Sequence, residues 1–349
     1  TIFVEASLGQ QYKTVTESGN AIGGPAYYIK AAFKGVFGKF LAGLFAIFII
    51  LALGFMGNMV QSNSISNAFV NAFPQIKPIY IGIACALVAA FIFIGGLKRI
   101  ASFAEKTVPI MALFYIIGSV IILIMNIKNL PSSIVLIFTS AFNPQAVIGG
   151  GLGIGVQQAM RYGVARGLFS NEAGMGSTPH AHALAKVKHP CEQGAVAMIG
   201  VFIDTFVVLN LTAFVVLTSG ILQNQVYPLE SASLIPEILK GIGLPQEAFK
   251  MGFGFFGVVF VAICLLFFAF TTIIGWYFFG EQNVKYLFGA KAVKVYAVLV
   301  VGFILLGSVL KVDLVWDLAD CFNGLMVIPN LLGILALSGI VGTLFKKYN

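Results

Sequence analysis

The chain has 349 residues, 59% of them hydrophobic and 10% charged, with a net charge of +8 and a mean hydropathy of +0.96. That balance excludes an ordinary soluble domain and predicts an all-α polytopic membrane protein. The positive charge reads as loop lysines and arginines that set topology, so no nucleic-acid partner is expected. Cys85, Cys191, Cys264 and Cys321 lack CxxC spacing and predict neither a metal site nor a disulfide framework.

Residues 1–349 read as a single membrane domain without linkers. Residues 1–12 look like the end of a helix already under way, so a preceding N-terminal portion is expected. A cytoplasmic loop with an interfacial helix follows at 13–38. Apolar spans are predicted at 39–62, 78–96 and 107–127, each near the ~20 residues that cross a bilayer. A short external helix is expected at 131–141, then a Gly-rich entry into an interrupted span within 147–186. Spans at 193–219, 251–279, 292–310 and 324–345 complete eight crossings, with an extracellular loop at 220–250. Alternating the crossings places most lysines, including Lys346 and Lys347, on one side, which predicts a cytoplasmic C-terminus. Arg161 and Arg166 precede the interruption and are expected to face an outer vestibule.

The interruption at 165–185 is the chain's most informative stretch. Ser170, Asn171, Glu172, Gly174, Gly176, Ser177, Thr178 and Pro179 crowd into it, and glycines with a following proline unwind a helix. Unpaired backbone at membrane depth is tolerated only in protein or beside a wet cavity, and broken helices often build transporter sites. Exposed N–H groups favour a carboxylate and exposed carbonyls an ammonium or cation, so one break complements both ends of a zwitterion. Phe169, Met175 and Trp276 would then wall a cavity sized for a small side chain.

Polar residues within the other spans carry two readings each. Gln61 either joins helices or reaches a substrate. Thr271 and Thr272 either bond back to their own helix or supply oxygen to a monovalent cation. Asp204 is a cation or proton ligand or a paired structural acid, and Glu172 shares that ambiguity. His180, His182 and His189 lack an HExxH pattern, so no metal other than the coupling ion is expected.

RYGVARGLFSNEAGMGSTPHAHALAK at 161–186, with QGAVAMIGVFIDT at 193–205, closely resembles the signature of the alanine/glycine:cation symporter family. FVEASLGQQY, GGPAYYI, GNMVQSNSI, FTTIIGWYFFGEQN and VWDLADCFNGLMVIPNL extend the resemblance along the chain. The resemblance implies membership of the amino acid–polyamine–organocation superfamily and a leucine-transporter-type inverted-repeat fold. In that fold 1–12 would end core helix two, core helix one would be missing, and 165–185 would lie in core helix six. It implies substrate contacts from Gln61, Phe169, Ser170, Asn171, Gly174, Met175, Gly176 and Trp276. Sodium ligands would be Thr271 and Thr272, with Asp204 at a second site. No cofactor beyond sodium is implied. The expected function is sodium-coupled symport of a small neutral amino acid such as alanine or glycine across a prokaryotic plasma membrane. The residues leave oligomeric state open. Proton coupling through Asp204, a channel, or a hydrolase pairing Ser170 with His180 or His182 stand as alternatives.

Overall fold

The computed structural model describes residues 1–15, 21–142, 152–221 and 241–348. Helix α1 (Ile2–Gln11) leads through the short antiparallel strands β1 (Thr14–Val15) and β2 (Ala21–Ile22), with Thr14 opposite Ile22, to α2 (Pro25–Ala32). Helix α3 (Gly35–Ile49) passes through a π-helical stretch, Ile50–Gly57, into α4 (Asn58–Ala72) without a break. Helices α5 (Pro78–Ile94), α6 (Gly96–Met125) and α7 (Leu130–Phe142) follow. Helix α8 (Leu152–Asn171) stops at the interruption, and the chain resumes in α9 (Pro179–His182). Helix α10 (Pro190–Phe202) joins α11 (Asn210–Thr218) through a second π-helical stretch, Ile203–Leu209. Helices α12 (Gly243–Phe253), α13 (Phe255–Phe288), α14 (Val293–Val309) and α15 (Val312–Tyr348) complete the chain.

Among the described residues six helical spans are long and apolar enough to cross a bilayer. The other two expected crossings fall on α5, of 17 residues, and on the interrupted α8–α9 pair. The span expected at 39–62 runs instead from Gly35 to Ala72. Its polar second half is hidden in protein: Asn58, Ser62, Asn63 and Ser66 are all buried. The interfacial helix expected within 13–38 is α2, whereas residues 16–20 of that loop lie outside the described residues. Most of the loop expected at 220–250 also lies outside them, its described end forming α12. The Gly-rich entry at 147–151 lies outside them as well.

Lipid removes most of the hydrophobic drive between helices, so packing and interhelical hydrogen bonds must hold the bundle. Helix α13 packs on α4, α14 packs on α4 and α5, and α1 packs on α10. Ser62 donates to the Ile304 carbonyl at 2.7 Å, and the Asn63 amide donates to Gly307 and Leu310 carbonyls, both at 2.8 Å. Tyr28, Phe45, Leu53, Met175, Trp276 and Tyr277 form one buried cluster around the interruption. Exposed Phe91, Ile110, Leu87 and Leu335 present the apolar surface expected of lipid-facing helices.

Candidate functional site

Helix α8 ends because the backbone beyond Asn171 turns left-handed: φ is +55° at Glu172, +99° at Gly174 and +81° at Gly176. Glycine adopts such angles freely, whereas a residue with a Cβ is strained by roughly 1–2 kcal/mol. Glu172 is the non-glycine in the set, and its carboxylate is held on both sides. Ser177 Oγ donates to one oxygen, and Trp276 Nε1 donates to the other at 2.7 Å. The helix restarts at Pro179, whose fixed φ suits a first helical position.

The amides freed by the turn do not face an open cavity. Buried Glu5, from α1, accepts the Gly174 N–H at 2.7 Å and the Gly176 N–H at 2.8 Å. Asn330, from α15, donates to Glu5 at 2.7 Å and to the Gly174 carbonyl at 2.9 Å, while Tyr28 donates to its side-chain oxygen. Asn171 Oδ1 takes the Ala173 N–H at 3.0 Å. The expectation of bare amides at Gly174 and Gly176 is thereby corrected: an internal carboxylate stands where a substrate carboxylate was expected. Among the described residues, the carbonyls of Ala173, Met175 and Gly176 accept no hydrogen bond. The interruption therefore offers oxygen more than N–H, which favours a cation or an ammonium group.

The sequence-predicted residues separate into groups. Phe169 meets Trp276 edge to face, with ring centroids 5.2 Å apart, and Trp316 at 4.9 Å. Gly57 lets Trp276 approach, since a Cβ there would stand 2.6 Å from the indole. Gln61, one turn beyond Gly57, is half-buried and forms no side-chain hydrogen bond among the described residues. Phe169 and Met175 border a cavity of about 460 Å³ between α8 and α15, with Arg161, Asp320 and Asn323. Above Phe169, Arg166 lies 3.8 Å over the Trp316 ring and binds Asp320 through two hydrogen bonds of 2.7 and 3.1 Å.

Ser170 and Asn171 turn to a different face of α8. Ser170 Oγ lies 2.9 and 3.1 Å from the Asp204 oxygens, and Asn171 Nδ2 donates to Thr205 at 3.4 Å. Asp204 sits on the π-helical stretch Ile203–Leu209, and with Ser170, Tyr115 and Thr212 it borders a cavity of about 320 Å³. Thr271 donates to the Phe267 and Phe268 carbonyls and comes within 3.9 Å of Met111 Sδ on α6. Thr272 donates to the Phe268 carbonyl at 2.9 Å. Both hydroxyls thus bond back to their own helix, and each oxygen keeps lone pairs free to accept.

His180 is buried, with Nδ1 2.7 Å from the Ser177 carbonyl and Nε2 2.8 Å from Asn283 Nδ2. His182 pairs with Gln193 at 2.7 Å, so Ser170 has neither histidine as a base. No group of three His, Cys, Asp or Glu that could hold a metal occurs among the described residues. Sequence reasoning missed Glu5, Trp316, Asp320 and Asn330 as site residues. An acid within FVEASLG was the available signal, since carboxylates are rare inside membrane spans.

The model of the sodium:alanine symporter family matches residues 1–349. The sodium/alanine symporter AgcS of Methanococcus maripaludis is 38% identical over 355 residues, covering 100% of this chain and 74% of that protein. The probable sodium/glutamine symporter GlnT of Bacillus subtilis is 42% identical, covering 99% of this chain and 68% of that protein. The putative sodium/proton-dependent alanine carrier protein YrbD of Bacillus subtilis is also 42% identical, covering 99% and 71%.

Proposed function

This chain belongs to the sodium:alanine symporter family, and on that footing we propose that it carries a small neutral amino acid with sodium by alternating access. It is a multi-pass membrane transporter and not an enzyme. The observation that carries the reading is the interruption after Asn171, tied to Trp276 through Glu172, whose Ala173, Met175 and Gly176 carbonyls stay unpaired among the described residues. In this reading the amino acid lies against Phe169, Met175 and Trp276, with Gln61 reaching it from α4 and the backbone at 174–176 supplying polar contacts. Ser170 and Asn171 support the site from another face of α8, through Asp204 and Thr205.

Sodium is held by Thr271 and Thr272, and a second ion by Asp204 with Ser170. Binding sodium and amino acid to the same conformation couples their affinities, which is the thermodynamic content of symport. The reading includes a leucine-transporter-type inverted-repeat fold, in which a bundle containing α8 and α9 rocks against a scaffold containing α3 and α4. It also includes a prokaryotic plasma membrane and a cytoplasmic C-terminus, supported by the lysine asymmetry of the loops.

A proton-coupled reading rests on Asp204, a carboxylate inside a span whose side-chain partner is the Ser170 hydroxyl. Proteoliposomes with independently imposed sodium and pH gradients separate the two. Radiolabelled alanine uptake should follow the sodium gradient; uptake that ignores it sinks sodium coupling.

A further inference from the structure

Helices α5, α6 and α13 border an open apolar groove of about 300 Å³, with the Cys85 thiol buried in its wall. Ala84 and Val88 face it from α5, Phe103 from α6, and Leu266, Phe267 and Phe270 from α13. An open groove of this kind offers water no hydrogen-bond partner and leaves its walls short of packing contacts. The chemistry that fits it is hydrocarbon.

The same groove has a charged end. Ala84, Val88, Phe91 and Gly95 follow one another at helical spacing on α5, so the cavity face continues toward the helix C-terminus. There Arg99 folds back over Gly95, where an added Cβ would stand 2.3 Å from Nε. Its Nη1 donates to the Phe91 carbonyl at 2.6 Å, and the guanidinium carbon lies 4.4 Å from the Phe91 ring centroid. Capping α5 uses one of the five N–H groups of an exposed guanidinium. Exposed Lys106 lies two turns along α6 on the face of Arg99 and Phe103. Val88 and Gly95 are separated by ~10 Å along the helix, a span that a glycerol unit and the first methylenes of an acyl chain cover.

We infer that this groove binds one phospholipid with an anionic headgroup, its acyl chain in the cavity and its phosphate on Arg99. The planar guanidinium suits a phosphate, the added charge of Lys106 favours a headgroup that is negative overall, and the groove seats the acyl chain.

The test uses the purified protein in mixed micelles with phosphatidylglycerol bearing a diazirine midway along one acyl chain. Illumination followed by peptide mass spectrometry should place adducts at Ala84, Cys85, Val88, Phe103, Leu266, Phe267 and Phe270. Val88→Trp, which fills the cavity, should reduce those adducts at least tenfold, while Leu87→Trp, on the outward face, should leave them unchanged. Arg99→Gln should reduce them several-fold, and the same diazirine on phosphatidylcholine should label weakly. Excess inorganic phosphate should compete poorly. Adducts spread over Leu87, Ile110 and Leu335 in proportion to exposure would overturn the site. So would equal labelling by both lipids with no response to Arg99→Gln, a comparison that holds even if the tryptophan variant misfolds.

Discussion

Trp276 donates its indole N–H to Glu172 at 2.7 Å, so a membrane-spanning helix holds the one strained non-glycine of the interruption in place. The contact joins the aromatic wall to the backbone turn, and movement of either drags the other.

Replacing Trp276 by Phe keeps an aromatic ring near Phe169 but removes that donor. A lost hydrogen bond to a charged group is worth about 1.5–3 kcal/mol. Alanine uptake by Trp276→Phe should therefore fall roughly ten- to hundredfold in kcat/KM, each factor of ten being about 1.4 kcal/mol. Unchanged uptake would mean that the indole serves shape alone.

Glu5→Gln leaves an amide nitrogen facing one of the two N–H donors at Gly174 and Gly176. Loss of one charge-assisted bond, with a donor left unpaired, should cost about 2–3 kcal/mol. The expected result is a lower Tm in detergent together with weaker transport. Glu5→Asp, one methylene shorter, should recover neither in full, because its carboxylate cannot reach both amides.

Thr272→Val removes an oxygen whose proton is already committed to Phe268, so the lone pairs are what is lost. The sodium concentration for half-maximal uptake should rise before the apparent alanine affinity changes. Thr271→Val should have the smaller effect, its hydroxyl lying toward Met111 on α6. Equal loss of sodium and alanine affinity in Thr272→Val would count against the ion role.

Asp204→Asn preserves size and a hydrogen bond with Ser170 while removing the charge. Uptake should then need more sodium, with its response to an imposed pH gradient unchanged. If instead the pH response disappears and the sodium requirement stays fixed, Asp204 is the proton carrier.

The interruption was legible because its cause is local: glycines, proline and hydrogen-bonding side chains within a few residues of one another. Its neighbours were harder to find. Glu5 and Asn330 meet Gly174 across most of the chain, and no periodicity links residues so far apart in sequence. Hydropathy also ended the span at 62 too early, since Asn63, Ser66 and Ala68 lie against protein, where lipid sets no limit on polarity. The start of α15 escaped for a related reason. The span expected at 324–345 lies within Val312–Tyr348, and Asp320, ahead of its expected start, is paired with Arg166. Thr271 and Thr272 were placed on the right helix, but the approach of Thr271 to Met111 on α6 is a tertiary fact.

The π-helical stretch at Ile50–Gly57 sets the azimuth of everything that follows it on the same rod. One residue added to an α-helical turn swings the downstream face by ~100°. Gly57, which lets the indole approach, ends that looser winding, and Gln61 follows on the same helical face. Shortening the stretch by a single residue would leave composition and hydropathy almost untouched while presenting a different set of side chains to α13.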